Sequence, residues 1–130
     1  MNEIKITTTH TFSKEDISDL IVTALEGGIN YWCRKAKIKL DTEGNYFNVP
    51  KEDQDKVIYA SDAISYGGTL ILFDAESTDK WELNLENVQK GIQMHCEKRN
   101  IAPSALMDVH DAGDADCIVQ YAVFNELTFG

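Results

Sequence analysis

The clearest periodic pattern in the chain begins at Ser13. Apolar side chains follow at positions 17, 20, 21, 24 and 25, which is the 3.6-residue period of an amphipathic helix. The hydroxyl of Ser13 can accept a hydrogen bond from the amide of Asp16, as N-cap residues do. Acidic side chains at Glu15 and Asp16 also suit the positive end of the helix dipole. The pattern therefore predicts a helix that begins directly after Ser13.

Shorter patterns predict the remaining elements. Alternating or β-branched runs indicate strands at 3–12, 36–40, 45–49, 69–74 and 80–85, and a short strand is also compatible with 127–130. Helical periodicity indicates helices at 51–65, at 86–99 and after Asp114, which serves as an N-cap. The run 69–74 is apolar on both faces and is expected to be central, and the polar loop 75–79 has hairpin length.

The order of these elements predicts the fold class. Strands and helices do not alternate regularly, so we expect an α+β fold, with a small antiparallel sheet, a central hairpin at about 69–85 and helices packed on one face. A chain of 130 residues can bury one core, which predicts a single domain over 1–130. No apolar run approaches the ~20 residues of a membrane span, and no secretory signal is recognisable, so we expect a cytoplasmic protein without membrane contact.

Charge narrows the classes of partner. The chain has 22 acidic and 12 basic residues, and its net charge of −10 argues against direct binding to a nucleic-acid backbone. Basic residues cluster at Arg34, Lys35, Lys37 and Lys39, a pattern typical of a solvated edge strand, where lysine discourages aggregation. The acidity is that of a soluble small protein, or of one that imitates nucleic-acid phosphates.

Metal and catalytic signatures are weak. Cys33, Cys96 and Cys117 are widely spaced, so we expect free thiols in a reducing compartment and no zinc site. The acidic run from Asp108 to Asp116 does not match a calcium loop, because its final ligand position falls on Val119. Without a nucleophile motif, the chain favours a protein that has no catalytic activity and no cofactor, although its histidines and carboxylates leave an enzyme as the alternative.

The segment Glu26–Trp32 is the most unusual stretch. Paired glycines at Gly27 and Gly28 would let a ligand approach the backbone, and Tyr31 or Trp32 would offer a flat ring for stacking. The alternative is that the glycines allow close helix packing and that the aromatic rings fill the core. Sequence alone leaves both interpretations open.

The segment Ser65–Thr69 repeats this chemistry. Tyr66, Gly67 and Gly68 could form an anion-binding nest, or they could form a helix C-cap before the central strand. If both glycine pairs serve one ligand, they should meet in space around one concavity. Adding one nearby cation gives the candidate ligand-binding residues Gly27, Gly28, Tyr31, Trp32, Arg34, Tyr66, Gly67 and Gly68.

Three stretches carry a family resemblance. They are Glu26–Trp32, residues 67–76 and residues 114–130, which together lie within about 13–130. In these stretches the chain resembles a family of small acidic proteins encoded by tailed phages and prophages. The resemblance implies a phage origin and a setting in the host cytoplasm, and it implies no mechanism.

Two main hypotheses of function follow. In the first, the chain is a non-catalytic phage accessory protein, directed against host defence, that binds and sequesters a small nucleotide-type ligand as a homo-oligomer. In the second, it is an acidic nucleic-acid mimic that inhibits a host defence protein. A mimic needs a continuous face of carboxylates, whereas sequestration needs a concave pocket with local positive potential. A third alternative is a virion or replication accessory protein.

Overall fold

The computed structural model describes residues 3–4 and 9–130, with only the backbone of Val109. The strand predicted at 3–12 falls partly on residues outside this range, and its described residues are not in a strand. The helices of the described residues are α1 (Lys14–Thr23), α2 (Ala60–Ser65), α3 (Leu85–Arg99), α4 (Pro103–Val109) and α5 (Ala112–Phe124), with a π-helical turn at Ala24–Gly28 and a 3₁₀ helix at Lys51–Lys56. The strands are β1 (Cys33–Ile38), β2 (Leu70–Asp74) and β3 (Lys80–Leu83).

Helix α1 begins as predicted. Ser13 and Asp16 form a capping box, in which each side chain accepts a hydrogen bond from the other residue's backbone amide, at 3.0 Å in both directions. The helix buries Ile17, Leu20 and Ile21 against the rest of the domain. It continues into the π-helical turn instead of ending before the glycines, so the chain passes directly from the predicted helix into the Gly27-Gly28 segment.

The three strands form one antiparallel sheet in the order β1-β2-β3, which confirms the expected α+β fold. The predicted central hairpin is present, with Leu70 opposite Leu83 and Phe73 opposite Lys80. Strand β1 pairs with the other side of β2 and forms an edge of the sheet, as the lysine-rich sequence predicts.

The two faces of the sheet have opposite character. One row across the sheet joins Ala36, Leu72 and Trp81, and these side chains pack in or against the hydrophobic core with the helices. The neighbouring row joins Lys35, Phe73 and Lys80, and because side chains alternate along a strand it lies on the other face. The fold thus leaves a sheet face with lysines and one aromatic ring uncovered.

Close packing of α3 on α5 forms the centre of the helical layer. A Cβ atom added at Gly91 would overlap the carbonyl oxygen of Ile118 and lie 3.1 Å from the amide nitrogen of Ala122. Helix α3 therefore approaches α5 backbone to backbone, and Val88, Ile92 and Ile118 are buried there. Among the described residues, no helix has both the length and the apolar composition needed to cross a membrane.

Several predicted elements are wrong in detail. The strand at 45–49 is a turn that makes one bridge, between Leu40 and Tyr46, and 51–65 divides into the 3₁₀ helix and α2. The N-cap of α5 is Asp111 and not Asp114. The Asp111 side chain accepts a hydrogen bond from the backbone amide of Asp114, three residues later. Residues 127–130 form no strand. Pro103 begins a helix, α4, at a position where its missing amide costs nothing.

Candidate functional site

Gly28 is a point of close helix packing. A Cβ atom there would lie 2.7 Å from the carbonyl oxygen of Ala112 and 3.3 Å from the amide nitrogen of Asp116, both in the first turns of α5. Gly27 is different, since nothing lies within 4 Å of its added Cβ. Of the two interpretations of this glycine pair, Gly28 fits close helix packing. The space beside the backbone of Gly27 is open.

Tyr31 and Trp32 share a carboxylate partner on α5. The Tyr31 hydroxyl donates to Oδ2 of Asp116 at 2.6 Å, and the Trp32 indole donates to Oδ1 of the same residue at 2.8 Å. Trp32 is buried, whereas Tyr31 is 54% exposed. Desolvation, together with the hydrogen bond to Asp116, raises the pKa of Tyr31 to about 12. The hydrogen-bonding ends of both rings are therefore committed within the protein.

Residue Gln120 extends this network to the end of the chain. Its amide nitrogen donates to Oδ1 of Asp116 at 2.9 Å, and its amide oxygen accepts from the backbone amides of Thr128 and Phe129 at 2.8 Å each. The Phe129 ring stacks on Trp32 with 5.2 Å between centroids and 5° between planes. Residues 128 and 129 are thereby held on the core, and Trp32 has no free face toward solvent on that side.

Gly67 and Gly68 directly follow Tyr66, the C-cap residue of α2, and complete its capping motif. The amide of Gly67 donates to the carbonyl oxygen of Ile64 at 3.0 Å, and that of Gly68 donates to Ala63 at 2.6 Å, the hydrogen-bond pattern of a Schellman motif. Gly67 has φ +93°, the left-handed conformation that this motif requires at its glycine. Both amides are engaged, so an anion-binding nest is not formed here.

The two glycine pairs contact different parts of the fold. Gly28 lies against α5, whereas the added Cβ of Gly68 would meet Val49 at 2.8 Å and Ala63 at 2.9 Å. The Tyr66 ring lies beside the ammonium of Lys14, 5.5 Å from its centroid. The described contacts therefore place the two pairs against different elements, and the common site stays a prediction from the sequence.

Arg34, the remaining candidate, lies at an irregularity in strand β1. Cys33 pairs with Asp74 and Lys35 pairs with Phe73, so Arg34 is an extra residue without a partner on β2. A bulge of this kind redirects a side chain, and here it brings two successive cations to one ring. The Arg34 guanidinium lies 5.2 Å from the centroid of Phe73, and the Lys35 ammonium lies 4.7 Å from it.

Of the described basic residues, five belong to this side of the sheet. We call them the basic face: Arg34, Lys35, Lys37, Lys39 and Lys80. Lys39 is neutralised by Glu82 at 3.2 Å. Among the described residues, the other four have no carboxylate within 4.0 Å. The nearby charge of Lys37 is the largest cause that lowers the pKa of Lys35, so these cations repel one another without an anion between them.

A small cavity opens beside two of these cations. It has a volume of about 190 Å³, and we call it the edge pocket. Its lining residues are Leu25, Ile29, Asn30, Cys33, Arg34, Lys35, Ala36 and Ala60. Pockets for whole drug-sized ligands are roughly 300–1,000 Å³, so the edge pocket has room for one ring or one sugar only. Of the eight residues predicted to bind a ligand, Arg34 lines the edge pocket, whereas Tyr31, Trp32, Tyr66 and the two glycine pairs are not among its lining residues.

A larger cavity is lined by residues outside the basic face and the edge pocket. Its volume is about 980 Å³, and it lies between residues 9–12 and helix α3. Apolar side chains such as Ile17 and Ile92 line it, and its described lining residues include Glu97 but no lysine or arginine. That described lining supplies no permanent positive charge to an anionic ligand.

A buried polar cluster was missed at the sequence level. Nε2 of His95 lies 2.8 Å from Oδ1 of Asp114, and the Arg99 guanidinium lies 3.2 Å from the same oxygen. Burial raises the pKa of Asp114, but the hydrogen bond from His95 and the backbone amide of Asp111 outweigh it, so the pKa lies below its ordinary value. The contact between His95 and Asp114 thus links helix α3 to the first turn of α5. A His and an Asp nineteen residues apart give no local signal of this contact.

The cysteines are free in the structure. Burial is the largest cause that raises the pKa of all three thiols, so none has the thiolate character of a nucleophile. Within the residues that the structure describes, no group of three or more His, Cys, Asp or Glu side chains is arranged to hold a metal ion.

The residues that sequence reasoning missed at the basic face are Phe73 and Lys80, since Lys35, Lys37 and Lys39 already form a basic cluster in the sequence. Alternation in the hairpin predicts that Phe73 and Lys80 share a face, but their proximity to Arg34 depends on the bulge and on which strand pairs with β2. Comparison of the chain with protein-family models, with curated proteins and with solved structures finds no match.

Proposed function

We propose that this chain is a non-catalytic phage accessory protein that binds and sequesters a small nucleotide-type ligand. The edge pocket and the cations at its rim would form the binding site. The observation that carries the proposal is a concave pocket bordered by Arg34 and Lys35 on a protein whose net charge is −10. An anion is repelled by most of this surface, so binding requires cations that are concentrated locally.

The lining of the edge pocket suits one ring of such a ligand. Leu25 and Ile29 supply apolar surface, and the side-chain amide of Asn30 can both donate and accept hydrogen bonds. A base or a ribose in this volume would leave its phosphates outside, at the guanidinium of Arg34. Arginine binds phosphate oxygens through two parallel hydrogen bonds, which fixes both position and orientation.

The lining also supports binding without turnover. Its described residues include no carboxylate and no histidine that could act as a general base. Cys33 is the cysteine of this lining, and burial raises the pKa of its thiol. It donates instead to the backbone carbonyl oxygen of Lys35 at 3.2 Å. A ligand held here would be retained unchanged, which is what sequestration requires.

Calorimetric titration with ADP, at low and at moderate salt, tests the proposal. The variant R34A/K35A/K37A should bind at least about tenfold more weakly, since each charged hydrogen bond contributes roughly 1.5–3 kcal/mol when formed. The matched control is K51A/K90A/K98A, which removes the same charge from other surfaces and should bind as the parent does. Equal losses in the two variants, or an absence of ADP binding in the parent chain, would contradict the proposal.

One observation favours a second function. Because five cations are collected on the basic face, the remaining surface is strongly acidic. That surface is the feature that an inhibitor imitating nucleic acid would use against a host defence protein. Native mass spectrometry of the purified chain would report both a retained ligand and the homo-oligomer that we expect. A protein that carries and binds no nucleotide would favour this second function.

A further inference from the structure

We propose that the basic face recognises a contiguous diphosphate and that Phe73 positions its cations instead of stacking on a base. This inference rests on the proposed function and names the part of the ligand that binds outside the edge pocket. The residues that carry it are the four cations without a carboxylate partner: Arg34, Lys35, Lys37 and Lys80.

The strand register gathers these cations around Phe73. Lys35 and Lys80 lie directly opposite Phe73 on the two flanking strands, so the ring has a lysine on each side. Side chains paired in this way have Cβ atoms about 4.5–5.5 Å apart. Lys37 lies one row further along the same face, opposite Ile71. The bulge adds Arg34 on the side toward the edge pocket.

The surrounding carboxylates do not neutralise this group. Glu82 is paired with Lys39. Asp74 turns toward the hairpin loop, where Oδ2 accepts from the amide of Glu76 at 3.4 Å. A hydrogen bond with Ser77 is the largest cause that lowers the pKa of Asp74, so this carboxylate is stabilised within the loop. Nε of Arg34 donates to the backbone carbonyl oxygen of Asp74 at 3.1 Å, so the terminal nitrogens of Arg34 and the three ammonium groups are what remains available to an external anion.

The amount of positive charge decides the class of ligand. A single terminal phosphate carries about −1.5 to −2 at neutral pH and can satisfy two of the four cations. A diphosphate adds a second charged group. Lys35 and Lys80 lie on strands two spacings apart, about 9.4–9.8 Å, a gap that a diphosphate and two flexible lysine side chains can span together. The affinity should therefore depend on the number of contiguous phosphates more than on the base.

The Phe73 ring is already in contact with cations of the protein itself. Two cations lie within 5.2 Å of its centroid, which is the range of cation–π attraction. Those cations would have to move before a base could stack there. Phe73 is thus a positioning residue: it restrains Arg34 and Lys35, and it should affect every phosphate ligand alike.

The first experiment compares ADP, AMP, adenosine and inorganic pyrophosphate by calorimetry at constant ionic strength and without divalent metal. We expect ADP to bind at least about tenfold more tightly than AMP, adenosine not to bind, and pyrophosphate to compete with ADP. Equal affinities of AMP and ADP, or ADP binding that pyrophosphate does not displace, would overturn the diphosphate and leave nucleotide binding intact. Absence of all nucleotide binding would overturn the proposed function. If pyrophosphate alone binds, the proposed nucleotide binding fails while recognition of a diphosphate by the basic face stands.

The second experiment uses Phe73→Leu, with Ile71→Leu on the same strand and face as the control. Phe73→Leu should weaken ADP and pyrophosphate by the same factor, about three- to fivefold, and Ile71→Leu should change neither. A loss confined to ADP would show that the ring stacks on the base. Thermal melts of both variants verify folding, and Lys80→Ala, which removes a surface charge only, should weaken pyrophosphate if Phe73→Leu does not fold.

A fifteen-nucleotide single strand of deoxythymidine serves as the last ligand. Because the four cations form one compact group, they should bind this strand at most about tenfold more tightly than they bind ADP. Binding more than a hundredfold tighter than ADP would assign the basic face to a polymeric nucleic acid and would overturn the inference.

Discussion

Substituting Gly28 by alanine should destabilise the fold, because one methyl group must enter a contact between two backbones. The added Cβ would lie 2.7 Å from the carbonyl oxygen of Ala112, whereas non-bonded heavy atoms are most favourable at about 3.5–4.0 Å. That oxygen belongs to α5 and cannot rotate away as a side chain could. Overpacking of this kind costs about 1–3 kcal/mol, and the lost flexibility of the unfolded chain returns about 0.4–1 kcal/mol. We expect a net loss of about 1–2 kcal/mol.

Gly27→Ala is the matched control, since it places the same methyl group one residue earlier. Nothing lies within 4 Å of that position and its backbone does not require glycine, so only the favourable term remains. The control should raise the free energy of unfolding by about 0.5–1 kcal/mol. The two neighbouring substitutions should therefore change stability in opposite directions.

Urea unfolding followed by far-ultraviolet circular dichroism measures both variants. The midpoints should move to opposite sides of the parent midpoint, with an unchanged dependence on urea, because the area exposed on unfolding stays the same. Equal shifts of the two midpoints, or a larger loss at Gly27, would refute the reasoning. Gly28 would then be an ordinary helical glycine, and its contact with α5 would carry no constraint.

Three further outcomes are expected. Gly91→Ala should lower the unfolding free energy by more than Gly28→Ala does, because its Cβ meets the α5 backbone still more closely; the same urea titration measures it. Asp114→Asn should cost about 1.5–3 kcal/mol at pH 7. The difference should shrink as the pH falls from about 4, the ordinary range of an aspartate, through the lowered pKa of Asp114, because protonation neutralises that side chain; urea titrations at a series of falling pH values measure it. Tyr31 should ionise near pH 12 in an ultraviolet titration, and Tyr31→Phe should lack that ionisation step. The contribution of the Tyr31 hydroxyl to the free energy of unfolding should be lost as the pH rises through 10 toward 12.

Elements defined by local pattern could be predicted from the sequence. Helix α1 has its own cap and stripe, and the hairpin from β2 to β3 needs only a short loop between two alternating runs. The boundary of α5 was misplaced because Asp111 and Asp114 are three residues apart and both are good N-caps, and only the folded backbone shows which one caps. Residues 127–130 resemble a strand, but their partner is the side chain of Gln120, which no propensity indicates.

The candidate site was predictable only in part. The sequence predicts Arg34 as the cation that an anionic ligand would need, and Arg34 lies at the rim of the edge pocket. The glycine pairs attracted attention because glycine permits close approach, yet Gly28 approaches α5 and Gly68 approaches Val49. The bulge that groups Arg34 with Phe73 depends on register, and register is a property of paired strands rather than of one segment.

The contact of Trp32 with Phe129 determines what an optical folding experiment would observe. Trp32 and Trp81 are the chain's two tryptophans, their centroids are 5.8 Å apart, and both rings contact Phe124 and Phe129. Contacts between residues almost a hundred positions apart close a long loop and form slowly compared with the helices. Intrinsic fluorescence would therefore follow the closure of this aromatic cluster, while amide circular dichroism would also register helices that form earlier. Stopped-flow traces by the two methods would separate in time wherever helix formation precedes that closure.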